Sequence, residues 1–310
     1  MTELYAIINN CDDTIIKLNK AISNKGFEFI KIEIPELEQK FKFIFGLPEK
    51  YSFTGELKYP SGTVSNTFFN AIRSSELIDD WEEGYIIALK TNTGSIELDV
   101  NDLFGFKRLD YITKFTNNLI DKLRLFKEGD IEVGCFFSYK PETLNGQLFG
   151  FKRSLHKGEI THLSDDEIIE FKNKFLDLEI TNPLALKSKM YFDTSFKIQL
   201  NEMRFILVIT SIESVLSSNK DQISHTFSRH LTLITNKTKE EFNLNYKKIK
   251  KLYDYRSKIV HGSTYDEKEL YSNCCKIREL ARKCILFVNE LPFVENKELF
   301  EFLNSKGYID

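Results

Sequence analysis

The sequence predicts an α+β protein in two domains, a mixed α/β domain over residues 1–186 followed by an all-α helical bundle over 195–310. Three observations carry this. Apolar residues alternate at a period of two, between turn residues, in several stretches of the first half, whereas beyond Ser195 a period near 3.6 takes over and the strands cease. The chain of 310 residues is also longer than most single hydrophobic cores, and with 42% hydrophobic residues it can fill two.

Asp12 to Lys25 places Ile15, Ile16, Leu18 and Ile22 in a short helix with acids at its start and Gly26 at its end. Phe27 to Ile34 alternates as a strand, and Phe41 to Phe45 and Tyr51 to Tyr59 continue the β character before a turn at Pro60-Ser61-Gly62. A helix is expected over Asn66 to Ile78, then strands Tyr85 to Lys90 and Ser95 to Val100, joined as a hairpin through Gly94. Leu109, Ile112, Phe115, Leu119, Ile120 and Leu123 mark a long amphipathic helix ending at Phe126. Strands follow at Ile131 to Tyr139 and Gln147 to Arg153. Ser164, with Glu167 three positions later, is a capping box that opens a helix burying Ile168, Phe171 and Phe175.

Nothing in this first domain calls for a reaction. Asp165 and Asp166, in the first turn of a helix, favour its dipole and need no metal to explain them. His156 and His162 flank a loop without a third ligand at a workable spacing, so surface histidines are expected there, not a zinc site. The stretch has no phosphate-cradling glycine loop, no G-x-S-x-G and no Walker sequence. No metal and no cofactor are expected.

Cys11, Cys135, Cys274, Cys275 and Cys284 form no C-x-x-C pair and are odd in number, which fits reduced thiols in a cytoplasm. The first residues lack a basic region and a long apolar run, so no signal peptide is expected, and no segment reaches the length of a membrane span. The net charge of −3 argues against one broad nucleic-acid surface, but it averages over an asymmetry. Between Lys220 and Leu291, 15 Lys and Arg stand against 9 Asp and Glu, a local net of +6 that leaves −9 elsewhere.

In the bundle, Met203 to Leu216 aligns Phe205, Ile209, Ile212 and Leu216 along one stripe, with Glu213 at its edge. A carboxylate near a buried stripe costs several kcal/mol unless it is paired. Glu213 is therefore expected either to reach water or cap a neighbouring segment, or to meet a cation, Arg256 being the candidate across the bundle. Ser224 to Ile234 forms a second helix, whose His225 and His230 do not share a face and are expected at the surface. A third begins with the capping pair Thr238 and Glu241 and runs through Phe242, Tyr246, Ile249, Leu252 and Tyr253. Its other face holds Lys247, Lys248, Lys250 and Lys251, either a solvated face or an attraction for a polyanion. The last long helix runs from Asp266 to Glu290, and Glu298 to Leu303 reads as a short one. Cys274 and Cys275 point about 100° apart on their helix and are expected to pack, not to chelate.

The third helix ends in Tyr253-Asp254-Tyr255-Arg256-Ser257-Lys258-Ile259-Val260-His261-Gly262. Arg256 is cationic at any ordinary pH, His261 is of the type that exchanges protons near neutrality, and Gly262 can end the helix in a left-handed conformation. This run resembles the Arg-x4-6-His signature of HEPN domains. It is most similar to the Apea-like branch, in which an Arg-Ser-x-x-Val-His-Gly string follows a tyrosine-bearing helix. The likeness covers about Ser195 to Leu291, and its specific part is the run just quoted.

The resemblance implies a HEPN-like helical bundle acting as a metal-independent endoribonuclease, a hydrolase of RNA phosphodiesters, in an anti-phage defence or toxin system. RNA is then the substrate, tRNA being one candidate. Arg256 becomes the clamp on the phosphate and His261 the acid/base, while Glu213 is similar to the acidic residue that some HEPN families carry on their first helix. Ser257 stands where many HEPN enzymes have Asn, Asp or His, although serine occurs in the Apea-like group, and it would orient the clamp less firmly. Lys247, Lys248, Lys250, Lys251 and Lys258 would attract the phosphates. Tyr255 would stack on a base, as Tyr253 could if it were not packed in the bundle. Five residues along a helix turn the side chains of Arg256 and His261 about 140° apart, so convergence needs a break before His261 or a second subunit, and a homodimer is expected. Residues 1–186 would sense a phage trigger or an antitoxin-like regulator. The alternative is a non-catalytic HEPN adaptor for dimerisation or RNA binding, in which Arg256 and His261 bridge helices and are buried with partners.

Overall fold

The computed structural model describes residues 3–33, 35–36, 85–91, 106–143, 145–151, 158–216, 223–236, 238–262 and 264–306. The chain mixes α and β structure and divides into two compact units. The first comprises Met1–Arg124 and Gly129–Asp177, the second Leu125–Glu128 and Leu178–Asp310. The strands expected over 41–45, 51–59 and 95–100, the turn at 60–62, the helix over 66–78 and the hairpin loop through Gly94 lie outside the described residues. So does His156. No helix among the described residues is long and apolar enough to cross a membrane.

The first unit is built on a five-stranded antiparallel sheet of β1 (Glu3–Asn9), β2 (Phe27–Glu33), β3 (Tyr85–Thr91), β4 (Glu132–Lys140) and β5 (Asn145–Phe151), in the order β2-β3-β1-β4-β5. The middle strand, β1, has no counterpart among the expected elements. Its residues Leu4 to Ile8 are all buried, so both of its faces are covered. A strand buried on both sides needs apolar residues at every position and shows no alternation to detect. Between β1 and β2, α1 (Asn19–Ile22) is flanked by 3-10 turns, and Gly26 closes it at φ 81°. The long helix α2 (Phe106–Phe126) buries Ile112, Leu119, Ile120 and Leu123, and Phe115 stacks on Phe27 of β2 with ring centroids 3.7 Å apart.

Farther on, α3 (Asp165–Glu170) opens with the expected capping box. Ser164 Oγ accepts from the Glu167 amide at 3.3 Å, and Glu167 Oε2 accepts from the Ser164 amide at 2.9 Å. Asp165 pairs with Lys17 at 2.6 Å, and His162 lies 2.7 Å from Asp12 through Nδ1, so both have local partners.

The second unit contains no strand among the described residues. It opens with α4 (Pro183–Ser195), which lies across the boundary expected near residue 186. Asn182 caps this helix by accepting from the Leu184 amide at 2.9 Å, and its Nδ2 donates to the carbonyls of Leu291 and Phe293 at 3.0 and 2.8 Å. The helix thereby becomes part of the bundle. Then come α5 (Asn201–Leu216), α6 (Ile223–Thr235), α7 (Lys239–Val260), α8 (Glu267–Asn289) and α9 (Asn296–Ser305). Central among them is α5, which packs against α4, α6, α7, α8 and α9. Phe205, Val208, Ile209 and Ile212 are wholly buried on it, each contributing about 1.5–3 kcal/mol. Against α4, small side chains let the backbones approach: Ser188 and Ser211 are hydrogen-bonded at 2.9 Å between Oγ atoms.

Two arginines of α8 are consumed internally. Arg278 and Arg282 are 2% and 5% exposed, and both pair with Glu128, Arg278 at 2.7 Å. Phe196 and Phe192 offer their ring faces to the two guanidiniums at 5.4 and 5.9 Å.

His230 corrects an expectation. His225 is exposed as expected, but His230 is 1% exposed, 3.0 Å from Asn304 Oδ1 through Nε2 and edge-on to Phe300. A partner on α9, distant in sequence, makes its burial affordable. Burial pushes the imidazole pKa below its usual 6.5, with an opposing hydrogen bond to Asn304 Oδ1 and a smaller push downward from Arg229. The unfolded chain therefore takes up this proton first as pH falls, so the group costs nothing above pH 6.5 and destabilises the fold progressively below it. Urea-denaturation midpoints should decline from pH 7 to 5.5, and His230→Gln should flatten that decline; an equally steep acid limb in the variant would assign the loss to other groups.

Candidate functional site

α7 carries most of the chemistry. It starts from the expected capping box, with Thr238 Oγ1 accepting from the Glu241 amide at 3.2 Å and Glu241 Oε2 accepting from the Thr238 amide at 3.3 Å. Its inward face is Ile249, Leu252, Tyr253 and Tyr255, packed on α5 and α6. Lys247, Lys248, Lys250, Lys251 and Lys258 are all exposed. Of these, only Lys250 has an acidic neighbour among the described residues, Asp254 at 4.0 Å.

The two tyrosines of the motif face the interior. Tyr255 is 6% exposed, with its ring edge-on to Phe205 at 5.7 Å. Burial pushes its phenol pKa up, and no partner satisfies its hydroxyl among the described residues. This corrects the expectation that Tyr255 stacks on a base. The reason lies in helix geometry, since Tyr255 falls on the stripe set by Leu252 and Ile249. Tyr253 packs on Phe227 at 4.8 Å and donates its hydroxyl to Glu213 Oε1 at 2.7 Å. Burial raises its pKa first, the Glu213 carboxylate adds to that, and the nearby charge of Arg256 works in the opposite sense.

Glu213 therefore has its donor, and the donor is a phenol, not the expected guanidinium. A buried tyrosine ring normally brings a hydroxyl in need of a partner, which is the signal that would have pointed to this pair. Arg256 is left half-buried, with no ion pair or hydrogen bond among the described residues and with Nε shut away from water. Such a group is held close to the surface but uncommitted.

α7 stops at Val260. His261 is the capping residue at φ −89° and ψ 9°, its amide donates to the Ser257 carbonyl at 3.1 Å, and Gly262 turns the chain away at φ 71°. An added Cβ on Gly262 would meet nothing within 4 Å, so its requirement is conformational, not spatial. Because the left-handed turn comes after His261, the imidazole stays on the helical path, about 140° around the axis from Arg256. One copy of α7 does not aim both side chains to the same side. His261 is exposed, and Ser257 is half-buried with its hydroxyl unpartnered among the described residues.

On α8, Lys276 and Lys283 are exposed and add basic charge across a cleft from Lys248. Their seven-residue spacing puts them on one helix face, a signal present in the sequence but overshadowed by the lysine run on α7. Cys274 is buried while its neighbour Cys275 is half-exposed, as diverging helical positions require.

These contacts separate two neighbouring residues by their stability effects. Tyr253→Phe leaves the Glu213 carboxylate short of a donor and should cost about 1.5–3 kcal/mol. Arg256→Gln removes no hydrogen bond or ion pair among the described residues and should cost less, within about 0.5 kcal/mol of the parent. Urea melts with unchanged m-values would test this, and a larger loss for Arg256→Gln would show that the guanidinium is a structural member of the bundle. Comparison of the chain with protein-family models, with curated proteins and with solved structures finds no match in any of the three, so the site is argued from its own geometry.

Proposed function

We propose that the second unit is a HEPN-like bundle and that the protein is a metal-independent endoribonuclease working as a homodimer. The observation that carries this reading is the uncommitted pair: among the described residues Arg256 has no anion and the exposed His261 side chain no partner, at the end of a helix whose Lys247, Lys248, Lys251 and Lys258 have no acidic neighbour there. A non-catalytic adaptor would use both residues to bridge helices, and neither has such a partner among the described residues.

RNA brings its own nucleophile. An imidazole of one protomer takes the proton from the 2′-OH, the 2′-oxygen bonds to phosphorus, and the P–O5′ bond breaks. The imidazolium of the other protomer protonates the departing 5′-oxygen. The products are a 2′,3′-cyclic phosphate and a 5′-hydroxyl. Arg256 grips the non-bridging oxygens and neutralises charge that develops on the phosphorane. The angular separation of the two side chains on α7 supports a site shared between two copies, since a single copy would need a break ahead of His261. Ser257 lies beside the clamp, and the exposed lysines attract the strand. In this reading, Glu213 acts at one remove by fixing Tyr253, which keeps α7 and hence Arg256 in place. It is a positioning residue. The first unit would regulate the nuclease in a cytoplasmic defence or toxin system, in answer to a phage trigger or an antitoxin-like partner, with tRNA among the possible targets.

The test is cleavage of total RNA and of short oligoribonucleotides in EDTA. Wild type should produce cyclic-phosphate ends, His261→Ala and Arg256→Ala should each be slower by about 10²–10⁴, and a mixed dimer of wild type with His261→Ala, left with one imidazole, should also be slowed. Folded wild type that leaves RNA intact, or His261→Ala that cuts as fast, overturns the assignment.

A further inference from the structure

A second feature of the bundle is a cleft lined by lysines. Between the end of α6, α7 and α8 lies a cleft of about 270 Å³. Its floor is apolar: Ile249 and Leu252 are buried and Leu280 is half-buried. Lys248, Lys276 and Lys283 line it with exposed ammonium groups from two helices. The acidic group in the lining, Glu279, is held by Lys283 at 2.7 Å. Lys276 has only Asn273 Oδ1 at 3.5 Å, and Lys248 has no partner among the described residues. Three cations against one carboxylate leave the lining at +2, and an anion from outside would relieve their repulsion.

The wall of the cleft is polar and fixed. Asn236, 9% exposed, donates through Nδ2 to the Thr232 carbonyl at 2.8 Å and to Thr235 Oγ1 at 2.9 Å. Its Oδ1 is therefore the atom that accepts from Asn245 Nδ2 at 2.6 Å. This chain of bonds sets the orientation of the Asn245 amide and leaves its Oδ1 as an acceptor with no partner among the described residues. Uncompensated ammonium groups suit a phosphate, a flat apolar floor suits a planar ring, and an oriented amide oxygen suits an exocyclic amino group or a ring N–H. The volume lies at the small end of ligand clefts, enough for one such unit.

We propose that this cleft binds a nucleotide, its phosphate on Lys248 and Lys276 and its base on Ile249, Leu252 and Leu280 beside Asn245. The nucleotide can be free or one unit of an RNA strand. The second source rests on the ribonuclease reading: Lys248 precedes Arg256 by eight residues, about 12 Å along α7, so a strand held at the cleft would pass toward the scissile site. The first source does not depend on it.

Calorimetric titration of the full chain with AMP, and separately with a ten-nucleotide 2′-O-methyl RNA that cannot be cleaved, distinguishes the sources. Binding in either arm should weaken about tenfold or more in the double variant Lys248→Gln, Lys276→Gln, while Lys114→Gln, in the first unit, leaves it unchanged. Lysine-sensitive AMP binding assigns a free nucleotide, and lysine-sensitive binding of the oligonucleotide alone assigns a strand. In the wild type, the bound ligand should also protect Lys248 and Lys276, but not Lys247, from amine acylation. No binding in either arm, or binding that neither the double variant nor the protection pattern places in the cleft, overturns the proposal. Folded wild-type protein that leaves RNA intact but binds AMP here would sink the catalytic reading and leave this one standing.

Discussion

Much of the second unit follows from one requirement, that the Glu213 carboxylate find a donor. α5 packs against five other helices, so a half-buried charge at the edge of its apolar face needs a partner. Tyr253 supplies the donor from α7, which fixes the rotation of that helix as well as its place. With Tyr253, Leu252 and Ile249 turned inward, the lysines must face out. Arg256, three positions past Tyr253, falls on the border between the two faces. Its half-buried, unpartnered state is thus a consequence of a hydrogen bond it does not make.

Charge counted along the sequence overstates what the bundle can offer a polyanion. The +6 of residues 220–291 includes Arg278 and Arg282, which Glu128 and two phenylalanine rings hold inside. Guanidiniums tolerate such burial because one carboxylate and two π-faces can share the cost of their desolvation. Lysines do not, and it is the lysines of α7 and α8 that remain at the surface. The useful basic charge is therefore lysine charge, mobile and suited to phosphate, with Arg256 as the directional group among it.

The sequence was legible where an element has one apolar face and one polar face. α2, α5, α7 and α8, and the capping boxes of α3 and α7, lie where period and spacing put them. It was not legible where burial is set by partners remote in the chain. β1 is covered on both faces, so its pattern is continuous and resembles no amphipathic template. α4 buries Ser188 and Ser195 beside Leu184 and Phe192, because close helix contact selects small side chains there over apolar ones. His230 sits inside because Asn304 and Phe300 meet it, and neither is near it in sequence. At the candidate site, the positions of Arg256, His261 and Gly262 at a helix end followed from local chemistry, whereas the partner of Glu213 did not.

The lysine run on α7 has an energetic meaning of its own. Lys247 and Lys250, Lys248 and Lys251, and Lys247 and Lys251 stand three or four residues apart, and each such like-charged pair costs about 0.2–0.5 kcal/mol. Asp254 offsets little of this across 4.0 Å of exposed surface. The burial of Ile249, Leu252 and Tyr253 is worth several times as much, so the helix folds in spite of these charges. Among the described residues they make no hydrogen bond or ion pair that holds α7 to another helix, and any of them could be neutral without loss to the core. A repulsion of this size, concentrated on one face and continued by Lys276 across the cleft, is offset only in part by Asp254 and by the Glu279 that Lys283 holds, and an anion from outside would relieve the rest.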